Sequence, residues 1–240
     1  MEYYPLFLRL ERLRVLLVGA GSVGRRKAAD LIGSEKALAG LPEDFLWLDP
    51  EVSYAELTAL PEFSRLREMG KQGEFHLVFA QRCFSPEDLD GRDLVFAATG
   101  SRDCNAALAR LCAERRILCN VIDAPDDGSF IVPAHFRQDS ITVALSTGGK
   151  SPALARRLRQ DLQAWLGGKY GPLLALLARL RPLVLEQTCS GSNCELFRSL
   201  VNSDLADALQ DGNEAEAGRI LRELLPTALH PHISEILGKF

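Results

Sequence analysis

The sequence predicts an α/β protein: a doubly wound parallel sheet, then a small β region, then a helical C-terminal part. Three observations carry that expectation. The apolar run from Leu13 to Val18 leads directly into glycines at 19, 21 and 24. Strand-like runs alternate with helical stretches as far as Asp123, and from Ser151 onward the apolar residues recur at helical spacing. With 240 residues, 47% of them apolar, the chain can bury one large core or two modest ones.

The arm over residues 1 to 12, with Tyr3, Tyr4, Leu6, Phe7 and Leu8, is expected to pack ahead of the first strand. Leu13, Val15, Leu16, Leu17 and Val18 then read as a parallel strand buried on both faces. Gly19-x-Gly21-x-x-Gly24 follows at the spacing of a Rossmann-like dinucleotide turn. Gly19 allows the turn, Gly21 lets a pyrophosphate approach the backbone, and Gly24 lets the helix pack on the strand. Ser22, Val23 and Gly24 supply first-turn N–H groups at the positive end of the helix dipole. The competing reading is a strand-turn-helix with incidental glycines. Arg25, Arg26 and Lys27 oppose that dipole, so either an anion favours them there or they are simply solvated.

Residues 33 to 44 read as a loop and Phe45 to Asp49 as a second strand. Asp49 stands where a dinucleotide fold places the acid that bonds the ribose hydroxyls, and would favour NAD over NADP; equally, it is a strand-ending aspartate before Pro50. Helical stretches are expected over Tyr54–Leu60 and Phe63–Met69, a third strand over His76–Phe79 and a short helix from Ser85 to Leu89. Asp93 to Thr99 predicts a fourth strand, Asn105 to Glu114 a helix and Ile117 to Asp123 a fifth strand. Phe130–Val132 and Ile141–Leu145 are expected to pair antiparallel outside the main sheet. Ser151 as N-cap and Pro152 at the first helical position open a helix whose stripe is Leu154, Leu158, Leu162 and Trp165. Gly167-Gly168 ends it, and Leu173–Leu185, Cys194–Leu209 and Asn213–Leu225 fit three more.

A net charge of −4 argues against a nucleic-acid footprint spread over the surface, so an anionic substrate would have to be met locally. No apolar run is long enough to span a bilayer, and Met1-Glu2-Tyr3-Tyr4-Pro5 lacks a basic region followed by an apolar one. A cytoplasmic protein is expected. The six cysteines form no C-x-x-C pair, and Cys104, Cys112 and Cys119 are expected to act as small apolar residues in a reducing compartment. His230-Pro231-His232 and the Cys189/Cys194 pair lack zinc-site spacing, so no metal ligands are assigned.

Four segments occur in one order: Gly19 to Lys27; Ala97-Ala98-Thr99 followed by Asn105; Asn120-Val121-Ile122-Asp123-Ala124-Pro125 with Ser129 to Ala134; and Ser146-Thr147-Gly148-Gly149-Lys150-Ser151 running on to Arg156. Together they resemble the precorrin-2 dehydrogenase / sirohydrochlorin ferrochelatase family, the N-terminal module of siroheme synthase, over about residues 5 to 165. The resemblance implies an NAD-binding domain over 1–124, a β dimerisation region over 125–150 and a helical domain over 151–240, assembled as a homodimer. It implies NAD-dependent oxidation of precorrin-2 to sirohydrochlorin, with ferrous iron insertion giving siroheme in bifunctional members. Asp123 matches the catalytic aspartate of the family motif. Thr99 and Asn105 are carried over as cofactor contacts, and Ser146, Gly148, Gly149, Lys150, Ser151 and Arg156 as substrate contacts for a polycarboxylate macrocycle. Ser146 matches a serine that is phosphorylated in some members.

The chemistry agrees with Asp123, which ends a parallel strand at the carboxyl edge of the sheet, where open α/β folds bind ligands. One carboxylate there can serve as general base in both steps; an aspartate before Ala-Pro can also simply cap a turn. Residues 33 to 75 depart from the family pattern, and Gly100 and Ser101 stand where acidic residues are common. Three rivals differ in class or scope: a dehydrogenase that leaves iron to another enzyme, a non-catalytic NAD(H)-sensing module, and a small hydroxy-acid dehydrogenase. The last lacks a histidine at a strand end.

Overall fold

The computed structural model describes residues 3–32, 42–63, 77–187 and 193–238. Five parallel strands, β1 (Arg14–Val18), β2 (Asp44–Leu48), β3 (Leu77–Ala80), β4 (Leu94–Ala97) and β5 (Leu118–Val121), lie in the order β3-β2-β1-β4-β5. That order turns outward in both directions from β1, so the chain reverses beside the strand that carries the glycine turn. Helix α1 (Ser22–Ile32) follows β1, α2 (Tyr54–Ala59) follows β2 and α3 (Arg102–Arg115) links β4 to β5. The expected doubly wound parallel sheet is the observed one.

Alternate residues of β1 feed two cores. Val15 and Leu17 join Phe45, Trp47, Phe63 and Phe96 on one face, while Leu16 and Val18 join Leu48, Val95, Leu108 and Cys119 on the other. This is why the strand reads as an unbroken apolar run, with no polar alternation. The first face is held by aromatic edges: Trp47 meets Phe63 at 5.4 Å and Phe79 at 5.6 Å between ring centroids.

The described residues group into two units, Met1–Val132 and Pro133–Phe240. The described residues of the second unit contain an antiparallel pair, β6 (Ala134–Gln138) with β7 (Ile141–Leu145), and six α-helices. The sequence expectation paired β7 with Phe130–Val132, and that is corrected. Phe130 turns edge-on to Phe96 at 5.6 Å, and Val132 packs against the same core of the first unit. Aromatic burial therefore claims this run, and Asp139 at φ 53° makes the hairpin from the residues after Pro133.

Helix α4 (Pro152–Leu166) is opened by Ser151, whose hydroxyl accepts from Leu154 N at 3.2 Å, and closed by Gly167 in the left-handed region. Helices α5 (Tyr170–Gln187), α6 (Asn193–Asn202), α7 (Leu205–Gln210), α8 (Glu214–Leu224) and α9 (Ile233–Leu237) enclose a core of Leu176, Leu180, Val184, Leu200, Leu205 and Leu221. The single helix expected over Cys194–Leu209 breaks at Ser203, whose hydroxyl donates to the Leu200 carbonyl and accepts from Leu205 N. Cys112 and Cys119 are buried as expected, but Cys104 is exposed on α3. Most of the helix expected over Phe63–Met69, with His76 and Cys189, lies outside the described residues.

After β3, Arg82 clamps Asp88 with two bonds of 2.7 and 2.6 Å, and Asp88 also accepts from Ser85 N at 2.8 Å. The Arg82 bonds first, then the Ser85 N–H, hold the Asp88 carboxyl below its ordinary range. A depressed carboxyl stabilises the fold above its unfolded pKa and loses that contribution as pH falls through the folded value. Asp88→Asn is therefore expected to cost about 1–2 kcal/mol near neutral pH, with the difference from the parent shrinking toward zero in acid. Urea denaturation across pH measures it.

Candidate cofactor and catalytic site

The turn after β1 is formed by three backbones in close approach. Gly19 takes φ +109°, and a Cβ there would lie 2.2 Å from the Ala98 carbonyl oxygen; a Cβ on Gly24 would lie 2.1 Å from the Gly19 carbonyl oxygen. Neither position admits a side chain. Gly21 is different, since it is exposed and a Cβ there would meet nothing within 4 Å. The open space lies where α1 begins at Ser22, with Val23 and Gly24 completing its first turn, whose N–H groups have no acceptor within the helix. A diphosphate fits that combination of bare backbone, open space and positive helix end.

Trp47 in β2 and Asp49 just after it fix the turn. Trp47 Nε1 donates to the Gly19 carbonyl at 3.0 Å, and Asp49 Oδ2 accepts from Ala20 N at 2.6 Å. The other Asp49 oxygen accepts from Glu51 N and Val52 N, both at 2.8 Å, and the residue is 9% exposed. Asp49 thus links the glycine turn to the loop after β2. Arg25 Nε donates to the Ala20 carbonyl at 2.8 Å, which accounts for one cation of the Arg25-Arg26-Lys27 group without an anion. Burial pushes the Lys27 ammonium below its ordinary range, while nearby Asp30 acts in the opposite sense. Sequence reasoning missed the roles of Trp47 and Arg25. Trp47 was legible as a large residue on the Phe45 face of its strand, but its indole bond to the turn was not.

The neighbouring strand ends bring Thr99, Asn105 and Asp123 together. Because β4 pairs with both β1 and β5, the residues after Val18, Ala97 and Val121 emerge side by side at the carboxyl edge. Asn105 Oδ1 accepts from Thr99 N at 3.1 Å and Thr99 Oγ1 at 2.6 Å. Asn105 Nδ2 donates to the Thr99 carbonyl at 3.3 Å and to Asp123 Oδ1 at 2.8 Å. Asp123 is exposed, whereas Asn105 is 1% exposed and fully buried beneath it.

The residues carried over as substrate contacts lie in the second unit. Ser146, Gly148, Gly149, Lys150 and Arg156 are exposed, and Ser151 is half-buried under its capping bond. Ser146 Oγ accepts from Gly148 N at 3.1 Å, forming the turn itself. Of the arginines on α4, Arg157 pairs with Asp161 and Arg159 donates to Gln163, both one turn on, whereas Arg156 is exposed. Among the described residues no group of three or more His, Cys, Asp or Glu side chains is placed to hold a metal ion, and no helix is long and apolar enough to cross a membrane.

Residues 6–134 match a family model described as "Putative NAD(P)-binding", and residues 138–164 match one described as "Sirohaem biosynthesis protein central". The first match covers more than half of the chain, which belongs to that putative NAD(P)-binding family. Family membership agrees with the glycine turn, and NAD(P) is the cofactor class of its first unit. Siroheme synthase 3 of Aeromonas hydrophila is 34% identical over 226 residues, which cover 93% of this chain and 44% of that protein. The siroheme synthase of Thioalkalivibrio sulfidiphilus is 34% identical over 233 residues, covering 95% and 43%. The chain therefore spans less than half the length of the curated relatives it matches. A solved structure titled SirC, precorrin-2 dehydrogenase shares the fold at TM-score 0.69 and 22% identity, covering 92% of this chain and 98% of its own.

The three glycines separate packing from binding. Gly24→Ala forces its Cβ into a backbone carbonyl and is expected to lose more than about 2 kcal/mol of stability. Gly21→Ala is expected to change stability by less than about 1 kcal/mol while weakening NAD+ binding at least several-fold. Denaturant titration and fluorescence titration with NAD+ distinguish the two.

Proposed function

We propose that this chain oxidises precorrin-2 to sirohydrochlorin with NAD+, in the cytoplasm, and acts as a homodimer. The observation that carries the reading is the row at one sheet edge: a glycine turn fitted to a diphosphate, then Thr99, then an Asp123 carboxylate bonded by Asn105. The names of the relatives support the substrate class, and the segment matched over 138–164 supports a macrocycle-handling second half.

NAD+ bound at the turn supplies a hydride acceptor. The reaction removes one hydride and releases one proton from the macrocycle, and Asp123 takes that proton. Asp49 secures the turn and sets a carboxylate at the end of β2, which favours NAD over NADP because a 2′-phosphate would meet like charge. Lys150 and Arg156, exposed around the start of α4, bind carboxylates of the substrate, and Ser146, Gly148, Gly149 and Ser151 shape the approach. Iron insertion is the second activity of this reading. Ferrous iron is its substrate, and Asp123 accepts protons displaced from the pyrrole nitrogens.

Asp123→Asn is expected to lower turnover by at least about 10²-fold while leaving NAD+ affinity within a factor of about two. Loss of cofactor affinity with turnover retained would reassign Asp123 to binding. Adding ferrous iron after oxidation, with absorbance followed in both stages, separates a bifunctional enzyme from one that leaves the metal to another chelatase. Cofactor binding with no oxidation would favour the NAD(H) sensor.

Dimer formation is supported by α4, where Leu154, Leu158, Leu162 and Trp165 are exposed at 50, 37, 37 and 68%. Their spacing makes one apolar stripe on a helix whose other exposed positions include Arg156, Arg157, Gln160, Asp161 and Gln163. The segment over 125–150 is the proposed dimerisation region, continuous with that helix. Leu158→Glu is expected to shift the sedimentation coefficient toward the monomer while NAD+ binding is retained; an unchanged oligomeric state would exclude the stripe from the interface.

A further inference from the structure

We infer that Asn105 is a positioning residue for Asp123 and does not itself touch the cofactor. The inference rests on the reading of Asp123 as the base. At 1% exposure Asn105 has no surface to offer a ligand, and both polar atoms of its amide are bonded within the protein. Its orientation is fixed by chemistry. The Thr99 backbone N–H can only donate, so the atom 3.1 Å from it must be the amide oxygen. The Thr99 hydroxyl lies 2.6 Å from the same oxygen and 3.0 Å from the Ser101 carbonyl, and can donate its one proton to either. A flipped amide would set donor against donor at Thr99 and oxygen against carboxylate at Asp123.

The –NH₂ group is thereby turned outward, one hydrogen toward the Thr99 carbonyl and the other toward Asp123 Oδ1 at 2.8 Å. Among the described residues this is the hydrogen bond the Asp123 carboxylate makes, so Oδ1 is held and Oδ2 is left to take a proton. The clamp is anchored on both sides. Asn105 lies in the first turn of α3, where its N–H donates to Ser101 O at 3.0 Å and Ser101 caps the helix. Thr99 stands two residues after β4, next to the strand that leads to Asp123. The geometry of the base is therefore set by the β4–α3 turn, through one amide.

The test compares steady-state oxidation of precorrin-2 by NAD+ in the parent, Asn105→Ala, Asp123→Asn and the double variant, with NAD+ affinity measured separately by fluorescence. Asn105→Ala is expected to lower kcat by about 10-fold or more, with KM for both substrates and the NAD+ dissociation constant changed less than about 3-fold. Added to Asp123→Asn, the same change is expected to cost less than about 2-fold, because the group it positions is already gone. A raised NAD+ dissociation constant with kcat retained would overturn the inference in favour of a cofactor contact. An equal loss of kcat in both backgrounds would overturn it in favour of a general structural role. If Asn105→Ala does not fold, Thr99→Val removes the hydroxyl beside the amide oxygen and its bonds to Ser101, keeps the bonds of the Thr99 N–H and carbonyl to Asn105, and is read by the same pattern. A fully active Asp123→Asn would refute the base itself; an inactive Asp123→Asn beside an Asn105→Ala of parental kcat would refute the positioning alone.

Discussion

Everything at the carboxyl edge depends on the backbone of Gly24 lying against Gly19 and that of Gly19 lying against Ala98. Helix α1, strand β1 and strand β4 meet there at distances that leave no room for a Cβ. The approach aligns the start of α1 with the end of β1 and places the turn beside Thr99. The third glycine, Gly21, is spared that packing and opens onto free space. One motif thus contains two different requirements, closeness at two positions and vacancy at the third.

From that junction the site extends along the sheet by strand pairing alone. Asp49 and Trp47 brace the turn from β2, while Thr99 and Asn105 brace Asp123 from β4 and α3. The two braces differ in kind. Asp49 is a carboxylate that accepts from three backbone N–H groups, whereas among the described residues Asp123 accepts one bond, from the Asn105 amide. In the proposed reading the first secures the cofactor turn and the second takes the proton.

The sheet was legible because strands buried on both faces must be apolar throughout, and the glycine spacing was legible because only glycine fits those contacts. Asp123 was legible as a residue at a strand end. The bonding of Asn105 was not, because nothing in the sequence distinguishes a buried helix-capping neighbour from a ligand contact; the inference that it positions Asp123 rests on its burial and its four side-chain bonds. Phe130–Val132 misled for a related reason. A β-like run states that a segment is apolar and extended but not which core receives it, and the ring of Phe96 decided the matter. The break at Ser203 depended on one hydroxyl competing for a carbonyl, a local choice that apolar periodicity does not register.

The central claim is that a hydride leaves precorrin-2 for the nicotinamide held beside Asp123. Anaerobic single-turnover oxidation, with the chain in excess over precorrin-2, tests it most directly by following reduced nicotinamide and macrocycle absorbance together. The account predicts one NADH formed for each macrocycle oxidised, with both signals rising at the same rate. Binding of NAD+ and precorrin-2 without formation of NADH would contradict it.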